Sequence, residues 1–503
     1  MKYPRILLFF FLFTSPIAHV AHAQLLTQEE LKNDLSFLDD LLQKHSSYQG
    51  LNGYDYQKDF ENFLDQTSSL GIAPEDFGLF LAKTIGKIGD RHASVRGYDL
   101  PESLYFPFTF APFGEKVLVL QYNKDSKMYL PWDESYPYLK AIHHIELEEL
   151  LPQVLPEEIL APKSSYRLRA LRELRDIETV FFKMGRKVPN PIQVTVENEN
   201  GLEKTIEVTL ADTKGKAYLW DERFGDGHFF LSEEDYANPA IVHDFFKLDR
   251  DIAYIQLTEM LSKEDSPLFF TYLNDFMKNI KDSKALIIDV RNNGGGTRDL
   301  IQELAGYLIH PDSIYVVNIA KQRTDGVLNS EQVESLHGRY LVSRGELDSL
   351  EKKEVDKFMH TFRPMYRLDE VRYSDYYYYL FNGYKLSQNK YYYNRPVYIL
   401  ANERTFSAAS VLVSTLKNLP NVTIVGQTTD GSSGNSMRFE LPHSQLRIKL
   451  STMVSFQKDG SILDGIGTKP DLEIPRSLDQ VFGTEDHQLQ KLKELILHSH
   501  PTK

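Results

Sequence analysis

The stretch VYILANERTFSAASVLVSTLKNLPNVTIVG (397–426) constrains the fold more than any other part of the chain. An apolar run of strand type gives way to a polar break, then to apolar residues at helical spacing, then to a second apolar run. That order is strand, helix, strand. Upstream, KALIIDV (284–290) is a continuous apolar run of the kind buried on both faces of a parallel sheet, and RNNGGGT (291–297) follows it directly. Such strand-to-helix junctions lie at the carboxyl edge of a sheet, where α/β proteins place their chemistry. Thr405-Phe-Ser-Ala-Ala-Ser410 occupies one of them.

The rest of the chain divides around this α/β part, and the whole reads as a multidomain α+β protein. Residues 24–98 carry a helical pattern; LTQEELKNDLSFLDDLLQKH opens with Thr27 and Glu30 in the spacing of a capping box. Residues 99–212 alternate in short runs and form a β-rich module, with a hairpin predicted around Asn200-Gly201. Residues 213–481 form the α/β region, and 482–503 a C-terminal helix. Within the α/β region, about 314–395, lies an insertion holding RYSDYYYYLFNGYKLSQNKYYYN. Its tyrosines either pack a structural flap or line a lid or substrate wall, since each ring offers apolar area and a polar tip.

The first residues have two cations (Lys2, Arg5), an apolar core over 6–13, and Ala21-His22-Ala23 before Gln24. This is the pattern of a secretory signal peptide, with cleavage expected after Ala23 and a periplasmic or secreted location. No later run approaches the roughly 20 apolar residues of a membrane helix, so no integral membrane segment is expected after the leader is removed. The chain has no cysteine, which excludes disulfides and a lipid-modified cysteine; its core must hold it unaided. Net charge is −14, and −16 without the two leader cations, which argues against nucleic acid as a partner.

Two segments can carry chemistry. Gly294, Gly295 and Gly296 leave backbone N–H groups uncluttered after a buried strand. No phosphate-binding pattern accompanies them, which leaves an oxyanion hole as their chemical use. Thr405 or Ser407 serves as a helix cap; alternatively, Ser407 is a nucleophile with the Ala408 amide beside it. A serine needs a base. His92, in GDRHASV, is the favoured histidine over His143, His144 and His443, and Asp464, in LDGIGTKPD, is the candidate to orient it. Histidine spacing gives no metal-ligand pattern, so neither metal nor cofactor is expected.

LIIDVRNNGGG, TFSAAS, VGQTTDGSSG and DGIGTKPD, in this order, resemble the C-terminal-processing (tail-specific) and tricorn-core serine peptidases over roughly 251–475, and DRHASV is similar to the family's upstream histidine segment. The resemblance implies a crotonase-like (ClpP/crotonase) α/β catalytic domain, a PDZ-like β module and peptide or unfolded-protein substrates. It assigns Ser407 as nucleophile, with Gly295 or Gly296 and Ala408 as oxyanion donors. The chain departs from the tail-specific branch, whose lysine base falls here on Ser432, and whose acidic residue falls on Ser410. A lysine dyad would need Lys449 or Lys458 to reach in. His92 and Asp464 match the histidine-based branch, with aspartate in place of the more usual glutamate; Ser94 is a further candidate partner for His92.

Overall fold

The computed structural model describes residues 25–155, 160–222 and 235–498; the leader expected over 1–23 lies outside the described residues. Thr27 caps the helix Gln28–His45 as its spacing requires. Thr27 Oγ1 accepts the Glu30 N–H (3.3 Å), while the Glu30 carboxylate accepts the Thr27 N–H (2.8 Å). Leu31, Leu35, Leu38 and Leu42 form one buried stripe. That stripe has no private core. With Tyr48, Phe77 and Ile85 it packs against Ile319, Tyr378, Ile448 and Phe456. Three short helices bury too little surface to stand alone, so the amino-terminal helices are fused to the α/β part. The next strand, Ser94–Arg96, completes the join by pairing antiparallel with Arg447–Ser451.

The β-rich module is an antiparallel sheet in the order Thr109–Phe113, Lys116–Asn123, Tyr138–Ile142, Ile192–Glu197, Glu203–Val208. Its last two strands form the hairpin expected around Gly201. Phe106, Phe108 and Phe110 anchor a core closed by the helices Leu147–Val154, Lys163–Leu174 and Ile177–Lys183.

The α/β part contains a six-stranded sheet in the order Leu472–Glu473, Val422–Gly426, Val397–Ala401, Ala285–Asp289, Ile252–Gln256, Phe246–Asp249. Every neighbouring pair is parallel except the last. All five residues of Ala285–Asp289 are buried, as a strand covered on both faces requires. The helices Asp299–Leu308 and Ala408–Leu416 cover one face and His487–His498 the other. Asp289 lies opposite Leu400, and Ala401 opposite Gly426. The loops that leave these strands therefore emerge side by side at one edge.

The tyrosine-rich stretch is part of the core. Its strand Tyr377–Asn382 pairs with Ile314–Gln322, which pairs with Met453–Phe456 in a second sheet. Tyr377 and Tyr379 point into the core of the six-stranded sheet, and Tyr378 into the core shared with the amino-terminal helices. A strand buried on both faces explains why consecutive residues are all large and aromatic.

Candidate active site

At the edge where the loops meet, Ser407 has φ 53° and ψ −125°, a conformation that non-glycine residues rarely adopt. Such strain costs about 1–3 kcal/mol and persists only where the surroundings enforce it. Here three contacts do so. Thr405 Oγ1 donates to the Val290 carbonyl (2.9 Å), the Phe406 N–H donates to the Asn293 carbonyl (2.9 Å), and the Ser407 N–H donates to Ser432 Oγ (2.8 Å). Ser407 is the residue preceding the helix Ala408–Leu416, but its hydroxyl makes no capping bond, and Thr405 turns to the neighbouring strand instead. The hydroxyl is left for another use.

Gly295 abuts this elbow. A Cβ there would lie 2.6 Å from Ser407 Cβ and 3.0 Å from the Ala408 nitrogen, and its φ is +96°. Only glycine fits, by both space and backbone. The Ala408 N–H has no partner among the described residues, whereas the Gly295 N–H donates to Asn293 Oδ1 (2.8 Å). Gly296 turns toward Met260, whose carbonyl would lie 2.1 Å from an added Cβ.

His92 arrives from the other end of the chain. It is buried, its ring lies 5.1 Å from that of Phe406, and its Nδ1 faces Asp464 Oδ1 at 3.6 Å. The Gly434 N–H also approaches Nδ1, at 3.3 Å, across 342 positions of sequence. Ser432 bonds the backbone of Ser407 and Gly434 touches His92, so one short segment contacts both candidates. No direct hydrogen bond joins Ser407 to His92. Asp90 fixes the histidine loop: its carboxylate accepts the His92 N–H (2.9 Å) and both donors of Ser451 (2.6 Å each).

Asp464 is buried, and burial alone would raise its pKa; the His92 imidazole and the two donors of Ser433 outweigh it and hold the carboxyl below its usual range. Tyr48 O–H donates to Oδ2 (2.9 Å), the Ser433 N–H to Oδ1 (2.9 Å), and the Ser433 hydroxyl to Oδ2. Tyr48, Ser433 and Asp90 escaped the sequence reading, because nothing local marks a polar residue whose partner lies 416, 31 or 361 positions away. The other candidates lie elsewhere. Lys449 faces Ser94 across the strand pair, half-buried, and Lys458 is exposed on a turn; neither contacts Ser407. His143 and His144 form a turn of the β module, and His443 is exposed near Asn33. Ser410 is buried and donates to Thr429 Oγ1 (3.0 Å), so no acid is needed there.

Behind the edge lies a buried ionic frame. Arg476 is held between Glu222 and Glu403, and Arg291 between Asp289 and Asp486. Among the described residues no helix is long and apolar enough to cross a membrane.

Residues 251–474 match the model of peptidase family S41. A 108-residue stretch, 21% of the chain, is 26% identical to an uncharacterized protein of Chlamydia muridarum and 27% identical to a protein of Chlamydia trachomatis. That stretch spans only 18% of each of these relatives. The whole fold is similar to mature CPAF, with TM-score 0.63 at 16% identity over 93% of this chain and 98% of that one. CPAF complexed with lactacystin gives TM-score 0.62 at 16% identity, over 93% and 99%. Over residues 251–474, where the loops gather at the carboxyl edge of a parallel sheet, the chain is similar to peptidase family S41.

Proposed function

We propose that the protein is an exported serine peptidase in which Ser407 attacks a peptide carbonyl, His92 takes the serine proton, and Asp464 orients the imidazole. The observation that carries this reading is the segment Ser432–Gly434, which bonds the backbone of Ser407 at one end and touches the ring of His92 at the other. Nε2 is the base once Nδ1, which accepts the Gly434 N–H in this structure, turns to carry its proton toward Asp464. The unpartnered Ala408 amide is the first oxyanion donor. Gly295, packed against the elbow, becomes the second when its N–H exchanges Asn293 Oδ1 for the developing charge, with Gly296 the neighbouring alternative. The protonated imidazole then delivers its proton to the leaving amine, and water releases the acyl group by the same route. The 3.6 Å approach of Nδ1 to Asp464 is of the length that free enzymes show before substrate tightens the site.

On this reading 99–212 is the family's PDZ-like module and 213–481 its crotonase-like domain; the parallel strand order with helices on both faces supports the second. Export is inferred from Lys2, Arg5 and the apolar run that follows. The test is hydrolysis of unfolded protein by Ser407→Ala: activity within tenfold of wild type overturns the assignment. A second reading, a peptide-binding protein without catalysis, is favoured by Ser432 at the position of the family's lysine and by the Gly434 N–H aimed at Nδ1. Covalent capture of a serine-directed phosphonate separates the two.

A further inference from the structure

Beside the elbow lies a cavity of about 420 Å³ that touches both Gly294 and Phe406. In a chain of net charge −14, five arginines line it: Arg91, Arg169, Arg172, Arg175 and Arg404. Most are already committed. Arg404 pairs with Asp221, Arg175 with Asp176, and Arg172 donates to the Trp220 carbonyl (2.8 Å). Of the acids on the wall, Glu403 belongs to Arg476 and Asp430 to Arg91 (2.6 Å).

Two groups differ. Arg91 is only 7% exposed, sits over the Phe406 ring, and leaves its buried Nε without a hydrogen-bond partner. Arg169 is 42% exposed toward the opening, and its carboxylate neighbour, Glu173, stands off at 3.6 Å while lying closer to Lys183 (3.2 Å). Burial first, and then the charge of Arg91, lower the pKa of Arg169, and Glu173 and Asp430 offset only part of that.

We propose that this cavity is a carboxylate-binding subsite of the peptidase: an acidic group of the bound peptide is held by Arg169 and by the Nε of Arg91, beside Phe406, the residue before the proposed nucleophile. The group is an Asp or Glu side chain or a free C-terminal carboxylate; both present the same planar pair of oxygens to a guanidinium. That the ligand is a peptide rests on the peptidase reading; the charge preference does not require turnover.

The test uses the full chain carrying Ser407→Ala, so that peptides are bound and not consumed. Peptides of one fixed sequence carry Glu or Gln at each position in turn, and a C-terminal carboxylate or amide. We expect one position, or the C-terminus, at which the acid binds about tenfold or more tightly than its neutral counterpart, the low end for a hydrogen bond to a charged group. Adding Arg169→Gln brings that ratio within twofold of one, and Arg169→Lys restores part of it. The position that responds tells side chain from terminus. Equal binding of acid and neutral peptides, a preference that survives Arg169→Gln, or failure to bind any of the peptides overturns the subsite. Absence of hydrolysis by the wild-type protein counts instead against the peptidase reading.

Discussion

Two buried polar clusters stand under the same sheet edge and handle charge in opposite ways. In the ionic frame each cation has two anions: Arg476 lies between Glu222 and Glu403, and Arg291 between Asp289 and Asp486. At the proposed reactive corner the carboxylate that faces the imidazole, Asp464, is surrounded by neutral donors from Tyr48 and Ser433, with the ring at 3.6 Å. Ion pairs quench each other's field and fix the loops. A carboxylate solvated by O–H and N–H dipoles keeps its field for the imidazole that must become charged. On the proposed mechanism, frame and corner divide rigidity from reactivity.

If that division is right, perturbing the corner removes activity and perturbing the frame removes stability. The largest effect falls on the nucleophile: Ser407→Ala lowers turnover on the order of a million-fold, read from initial rates on unfolded protein, with little change in melting temperature. Asp464→Asn keeps the shape but permits the wrong tautomer; turnover falls by roughly ten-thousand-fold, and a loss under tenfold would remove Asp464 from the corner.

The frame comes next. Arg476→Met strands Glu222 and Glu403 without their cation and costs about 3–5 kcal/mol in denaturant unfolding. Burial alone would raise the pKa of Glu222, but Arg476 outweighs it and holds it down to about 2. A depressed carboxyl stabilises the fold above its ordinary value and loses that contribution as pH falls through the folded one. The wild-type protein should lose stability as pH drops from about 4.5 toward about 2. Arg476→Met should flatten that limb.

The smallest effect sharpens the contrast. Tyr48→Phe removes one donor to Asp464 and costs about 1.5–3 kcal/mol of stability. Because the lost dipole also leaves the carboxylate more basic, the acid limb of kcat/KM should move to higher pH, a shift that loss of packing alone would not produce.

Elements whose cause is local were legible in the sequence. KALIIDV is apolar because both its faces are covered, and the Thr27–Glu30 box declares its helix from four adjacent residues. Gly295 was singled out as part of a glycine-rich turn, but its reason, a Ser407 Cβ only 2.6 Å from where its own would be, exists only in the fold. The tyrosine run carried alternation too weak to show a strand buried on both faces, since Tyr377, Tyr378 and Tyr379 put aromatic rings on both sides. Asp464 posed a different problem. An aspartate reaches one methylene less far than a glutamate, and the remaining gap to His92 is seen beside donors from Tyr48 and Ser433 that no spacing rule could have paired with it.

The central claim is that the imidazole carried by the amino-terminal helices activates the hydroxyl at the far-downstream elbow. It is tested most directly by reacting the full chain with a serine-directed fluorophosphonate and locating the adduct by peptide mass spectrometry, in wild type and in His92→Ala. The account predicts one adduct per chain, on Ser407, formed at a rate that collapses in His92→Ala while the variant stays folded. Labelling of Ser407 at the same rate in both proteins would contradict it.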